Sequence, residues 1–166
     1  MKVLGIDPGT AVLGFGVVDS APGGARLVEC GVVSTRARDP LPTRLRLIHD
    51  AVAELLARHR PDAMAVESVF YAKNVRTTVV LGHARGVALL AGAMRDLPIA
   101  EYAPAEVKSA IVGSGRATKE QLQYMVQQLL RLRTLPRPAD AADAVAVALC
   151  HCHSAALERR LRSAVR

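Results

Sequence analysis

The sequence predicts an α/β domain built on a five-stranded mixed sheet, which starts as an antiparallel three-strand meander, continues with parallel strands and is flanked by helices. Three observations carry this. Short apolar runs alternate with Pro-Gly turns through the first 34 residues; a helical period over residues 42–59 leads directly into another short apolar run; and two of the runs end on carboxylates, Asp7 and Glu67. At 166 residues the chain can bury about 70% of its unfolded surface as one domain, without disulfide or metal staples. The expected layout is a single domain over residues 1–158 and a basic tail over 159–166.

Val3-Leu4-Gly5-Ile6 drives into Asp7-Pro8-Gly9-Thr10, and a second apolar run over 12–18 leaves the turn again, the pattern of a β-hairpin with Asp7 at its mouth. A buried unpaired carboxylate is costly. Asp7 therefore surfaces at the rim of the sheet, either to meet a cation or to cap its own turn. A third strand follows over 26–34. In the helix over 42–59, Leu45, Ile48, Val52, Leu55 and Leu56 recur at helical spacing. The strand over 61–67 is reached through that helix, so it returns parallel to the first and brings Glu67 to the edge that carries Asp7.

The next loop places Phe70 and Tyr71 beside Lys73, a combination that suits stacking on unpaired bases. The helix over 75–95 is thinned by Gly82, Gly86, Ala88, Gly92 and Ala93, small residues that permit close helix approach within the chain or across a homodimer. After a fifth strand over 97–102, a helix over 105–112 ends at Gly113-Ser114-Gly115. Thr118 then opens another as N-cap, with Gln121 as the partner of a capping box. Lys108, Arg116 and Lys119 form a basic rim around this turn. The last helix starts at Ala139, and Asp140 and Asp143 share a face of its first turn. Asp140 is open to a plain N-cap role as well as to a place in the site; Asp143, set among alanines and valines, calls for a cation. Residues 157–166 read as a frayed basic tail.

No apolar run approaches the 18 or so residues that span a bilayer, and no signal peptide precedes the first strand, so a soluble cytoplasmic protein without a membrane partner is expected. Three cysteines, Cys30, Cys150 and Cys152, suit a reducing compartment. The run Cys150-His151-Cys152-His153 points four ways on a helix and has no second ligand pair, which speaks against structural zinc. Net charge is +7, with six basic residues against two acids over 104–138, four against one in the last ten residues, and a balance of zero elsewhere. That distribution points to a polyanion.

If the placements above hold, Asp7, Glu67, Asp140 and Asp143 converge. An all-oxygen ligand set suits Mg²⁺ or Mn²⁺. Two such ions about 4 Å apart would relieve the mutual repulsion of the carboxylates and clamp the attacking and leaving oxygens of a phosphodiester.

Four blocks, Gly5-Ile6-Asp7-Pro8-Gly9, Ala65 through Asn74, Val107 through Lys119, and Ala139-Asp140-Ala141-Ala142-Asp143-Ala144, together resemble the bacterial RuvC crossover junction endodeoxyribonucleases. The resemblance implies an RNase H-like fold and a homodimer that nicks opposed strands of a four-way (Holliday) junction symmetrically in recombination and repair, leaving 5′-phosphate and 3′-hydroxyl ends. It also implies two Mg²⁺ per site, with Mn²⁺ as a substitute, held by Asp7, Glu67, Asp140 and Asp143. Phe70 would stack on a base, and Lys108 and Lys119 would approach the DNA backbone, with Lys73 and Arg116 as further contacts. Some relatives carry His in place of Asp140, and a branch-migration motor is a partner the family implies. Three rival readings remain open here. Gly5 through Thr10 also resembles the first phosphate loop of actin-like and sugar-kinase-like ATPases, which need a second Asp-x-Gly motif and a second domain. A different RNase H-like nuclease, or a DNA-binding module without catalysis, would explain parts of the pattern.

Overall fold

A computed structural model describes residues 1–68 and 75–164. The elements run β1 (Lys2–Asp7), β2 (Val12–Ala21), β3 (Gly24–Ser34), α1 (Leu41–His59), β4 (Ala63–Glu67), α2 (Val75–Ala93), β5 (Ile99–Tyr102), α3 (Pro104–Val112), α4 (Lys119–Leu129) and α5 (Ala139–Ala164). The strands form one sheet in the order β3-β2-β1-β4-β5. β1 to β3 make the antiparallel meander, while β4 pairs parallel to β1 and β5 parallel to β4. The mixed sheet is therefore as the sequence predicts.

Strand alternation divides the core into two layers. Leu4 and Ile6 of β1, Leu13, Phe15 and Val17 of β2, and Met64 and Val66 of β4 pack with Ile48, Val52, Leu55 and Leu56 of α1 and with Ala84, Ala88 and Ala91 of α2. Val3 and Ala65 belong to the opposite layer, with Val107 and Ile111 of α3, Leu122 and Val126 of α4, and the run from Val145 to Cys150 on α5. Asp7 has the parity of Val3, and Glu67 that of Ala65. Both carboxylates thus fall on the α5 side of the sheet.

Two helix ends are instructive. Thr118 caps α4 as the sequence predicts: its hydroxyl accepts from Gln121 N at 3.3 Å, and Gln121 Oε1 accepts from Thr118 N at 2.9 Å. Residues 157–164 of the segment read as a frayed tail are instead helical, because α5 runs on through residue 158 to Ala164, with those residues all exposed. Leu, Glu, Arg and Ala are strong helix formers and no Gly or Pro interrupts them, so the helix propagates past the end of the sheet.

Candidate active site

The site is built by a close approach. Gly5 of β1 sits beneath α5 so tightly that a Cβ placed on it would lie 2.1 Å from the Ala144 carbonyl oxygen; at Gly14 of β2 a Cβ would lie 2.1 Å from the Asp140 carbonyl oxygen. Gly14 is the register partner of Asp7. Two residues of strand advance about 6.6 Å and four residues of helix about 6 Å. The step from Gly5 to Asp7 along β1 is therefore matched by the step from Ala144 to Asp140 along α5. Asp143, one helical turn from Asp140 on the same face, points into the same space. On the other flank, the parallel register Ile6 with Val66 puts Glu67 beside Asp7.

One oxygen from each of Asp7, Asp140 and Asp143 lies within 4.8 Å of the others. Glu67 stands outside that trio but donates a proton to Asp7 in a side-chain hydrogen bond. Burial, then the charge of Asp7, hold the Glu67 carboxyl well above its usual range, to about 8. Asp7 is raised to about 6, first by burial and next by the charge of Asp143. Lys119 Nζ lies 2.6 Å from Asp143 Oδ2, and that hydrogen bond is the largest reason the lysine's pKa is raised. Two devices thus compensate the excess negative charge: a proton on Glu67 and an ammonium on Asp143. Asp140 lies inside the first turn of α5, which starts at Ala139, so it is not the N-cap; its charge there favours the helix dipole.

An open cleft of ≈ 400 Å³ is lined by Asp7, Pro8, Gly9, Val12, Glu67, Ser68, Leu81, Pro104 and Asp140. A smaller cavity of ≈ 150 Å³ adjoins it, where Lys108 and Lys119 face Glu67 and Asp143. Lys108 and Lys119 are therefore brought to the carboxylates. Arg116 is exposed on the turn between α3 and α4 and lines neither cavity. Phe70, Tyr71 and Lys73 lie outside the described residues. In the Cys-His run, Cys150 and Cys152 are buried in the core, His151 Nδ1 is 2.8 Å from Tyr102 Oη, and His153 Nδ1 is 3.3 Å from the Ala110 carbonyl.

Sequence reasoning missed one feature of the cleft wall. Behind Gly9 and Val12, the Thr35 hydroxyl donates to the Thr10 carbonyl at 2.5 Å and accepts from Arg44 Nε at 2.8 Å, while Thr35 N donates to the Ala11 carbonyl at 2.9 Å. The signal was present in the sequence as four arginines against one aspartate over residues 35–46.

Residues 3–151 match the family model described as crossover junction endodeoxyribonuclease RuvC. The chain belongs to the RuvC family. The crossover junction endodeoxyribonuclease RuvC of Thermomicrobium roseum is 50% identical over 143 residues, 86% of this chain and 87% of that one. The Thermus thermophilus RuvC structure superposes with a TM-score of 0.89 at 40% identity, covering 95% of this chain and 97% of the other. T. thermophilus RuvC in complex with Holliday junction substrate gives 0.87 at 38% identity, covering 95% and 96%. The RuvC fold is RNase H-like, and the β3-β2-β1-β4-β5 sheet with helices on both faces is its arrangement here.

Proposed function

We propose that this chain is a Holliday junction resolvase, a divalent-metal-dependent endonuclease that nicks opposed strands of a four-way DNA junction, leaving 5′-phosphate and 3′-hydroxyl ends. The observation that carries the reading is the convergence of Asp7, Asp140 and Asp143, with Glu67 against Asp7, in a RuvC-family chain. All the donors are carboxylate oxygens, the set that suits Mg²⁺ and Mn²⁺ over zinc. The charge compensation by a proton and a lysine marks the place where a stronger cation belongs. Asp7, Glu67, Asp140 and Asp143 would hold two ions. Bound there, the ions supply Lewis acidity for water attack and neutralise charge building at phosphorus.

The chain's own residues set up that chemistry. Asp7 is held on a stiff central strand, so its carboxylate is positioned before the substrate arrives. Glu67 must release its proton to act as a ligand, which couples ion binding to pH. With a divalent ion held at Asp143, Lys119 would be free to pair with a DNA phosphate, and Lys108 stands beside it. Phe70, Lys73 and Arg116 complete the proposed DNA surface.

The reading includes a cytoplasmic homodimer, as two symmetric nicks require two sites. The outer face of α2 is its proposed interface. Val79 and Leu90 are 55% and 54% exposed there, Met94 just past the helix end is 69% exposed, and Gly82 and Gly86 have open space where a side chain would stand. A branch-migration motor is the proposed larger assembly. Among the described residues no helix is long and apolar enough to cross a membrane.

Incubation with Mg²⁺ and a four-way junction, a linear duplex or ATP tests the proposal. Paired nicks in the junction alone are expected. Hydrolysis of ATP with an intact junction would overturn it.

A further inference from the structure

The basic character of this chain does not end with the lysines beside the carboxylates. Residues 35–46 carry Arg36, Arg38, Arg44 and Arg46 against Asp39, a net +3 that disappears in the overall charge balance because acids elsewhere offset it. The structure gives that charge a place. β3 ends at Ser34, paired with Val12, and Thr35 donates to the Ala11 carbonyl, so the corner between β3 and α1 stands at the end of the sheet that carries Asp7. Val12 and Gly9 line the cleft directly. Arg36, Arg38 and Arg46 are exposed and pair with no acid among the described residues.

Arg44 differs from the other three. It is half-buried, and its Nε–H is committed to the Thr35 hydroxyl, which passes the hydrogen bond on to the Thr10 carbonyl in the turn that follows Asp7. No hydrogen bond or ion pair of its terminal guanidinium nitrogens is found among the described residues. A guanidinium can hold one acceptor through Nε and present two further donors to a phosphate in the same plane, which a lysine cannot do. The hydroxyl between Arg44 and Thr10 both accepts and donates, so charge at one end strengthens the bond at the other.

We propose that the corner over residues 35–46 is a second DNA-backbone site, in which Arg44 takes a phosphate of the junction and, through Thr35 and the Thr10 carbonyl, holds the Asp7 turn in its cutting position. This rests on the nuclease reading above and deepens it. Arg36 and Arg38 meet the phosphate backbone by charge alone and hold no part of the Asp7 turn. Arg44 is a positioning residue for Asp7 as well as a phosphate contact.

The test compares junction affinity as a function of salt with the single-turnover cleavage rate at saturating junction, in Mg²⁺. Arg36→Ala and Arg38→Ala should each flatten the slope of log affinity against log salt by about 1. Thr35→Val should leave the salt slope intact and lower the saturated rate about tenfold, the cost of a loosened catalytic turn. Thr35→Ser, which keeps the hydroxyl, should restore that rate. Arg44→Ala should show both defects, and Arg44→Lys should regain the salt slope without regaining the rate. A wild-type chain that fails to cut the junction refutes the nuclease reading itself. If the wild type cuts and Arg44→Ala matches it in slope and saturated rate, this inference falls. It falls equally if Thr35→Ser is as slow as Thr35→Val, or if the rate losses track loss of melting temperature across the set.

Discussion

The two faces of this sheet are packed in opposite ways. Toward α1 and α2, the strands present Leu4, Ile6, Leu13 and Met64, all fully buried. Toward α5, at the same level of the same strands, they present Gly5 and Gly14, met by an alanine-rich helix. The first face supplies hydrophobic stabilisation, about 1.5–3 kcal/mol for each large side chain buried. The second is also apolar, through Val3, Val18 and side chains of α3, α4 and α5, but at Gly5 and Gly14 it sets a distance as well, because backbone carbonyls of α5 lie where side chains would otherwise stand. Both faces hold the domain together, and the glycine-lined one in addition brings two helix carboxylates to two strand carboxylates. A change of similar size on the two faces should therefore affect different properties.

The largest expected effect is chemical. Asp7→Asn should lower junction cleavage by about 1,000-fold or more, since loss of an ion ligand removes several kcal/mol of charge stabilisation. Binding of the junction should survive, because the basic surfaces supply affinity. Normal cleavage would break the site assignment.

Gly5→Ala comes next. Its added methyl meets the Ala144 carbonyl oxygen, so α5 must retreat, and a shift of about 1 Å in catalytic groups is worth about 100-fold in rate. Leu4→Ala, on the opposite face, should cost about 2–5 kcal/mol of stability yet cleave at nearly the wild-type rate under conditions where it is folded. Denaturant melts beside single-turnover rates would check the pair. If the two variants lost rate in equal measure, the division of labour between the faces would not hold.

A smaller effect concerns pH. Asp7 and Glu67 have folded pKa values raised above their unfolded values near 4. The native state therefore binds more protons than the unfolded chain above about pH 4, and without divalent ions stability should fall as pH rises toward about 8. Mg²⁺ should cancel the fall, and Glu67→Gln should flatten it. A melting temperature that rose over this range in chelator would contradict the arrangement. Smallest of all, Lys119→Ala should weaken junction binding most at low salt and reduce the salt slope by about 1.

How far the sequence disclosed this depends on the kind of signal. Neither Asp7 nor Glu67 declares itself alone, since a carboxylate at the end of an apolar run also suits a turn cap or a solvated strand end; it is the pair, brought to one sheet edge by the crossover, that was legible. The parity that puts both on the α5 side follows from the strand period once the buried face is known. Asp143 was legible as a carboxylate without a helical role, although the cation that meets it here, Lys119, comes from a helix 24 residues earlier and no local pattern pairs them. The glycines of β1 and β2 carry no local signal of their role; only the helix lying over them gives them a purpose. The Arg44 network was hidden for a different reason. Its charge is balanced by distant acids, and a threonine joining an arginine to a carbonyl leaves no periodic trace. Beyond Leu157 the basic composition suggested fraying, where helix propensity in fact carries α5 to its end.

The measurement that bears most directly on the converging carboxylates is the count of protons released when Mg²⁺ or Mn²⁺ binds, obtained by calorimetry near pH 7 in buffers of different ionisation enthalpy. Release of about one proton per site, abolished by Glu67→Gln and accompanied by weakened binding in Asp7→Asn, is the predicted result. Ion binding that releases no proton and is indifferent to both substitutions would place the metal elsewhere and contradict the account.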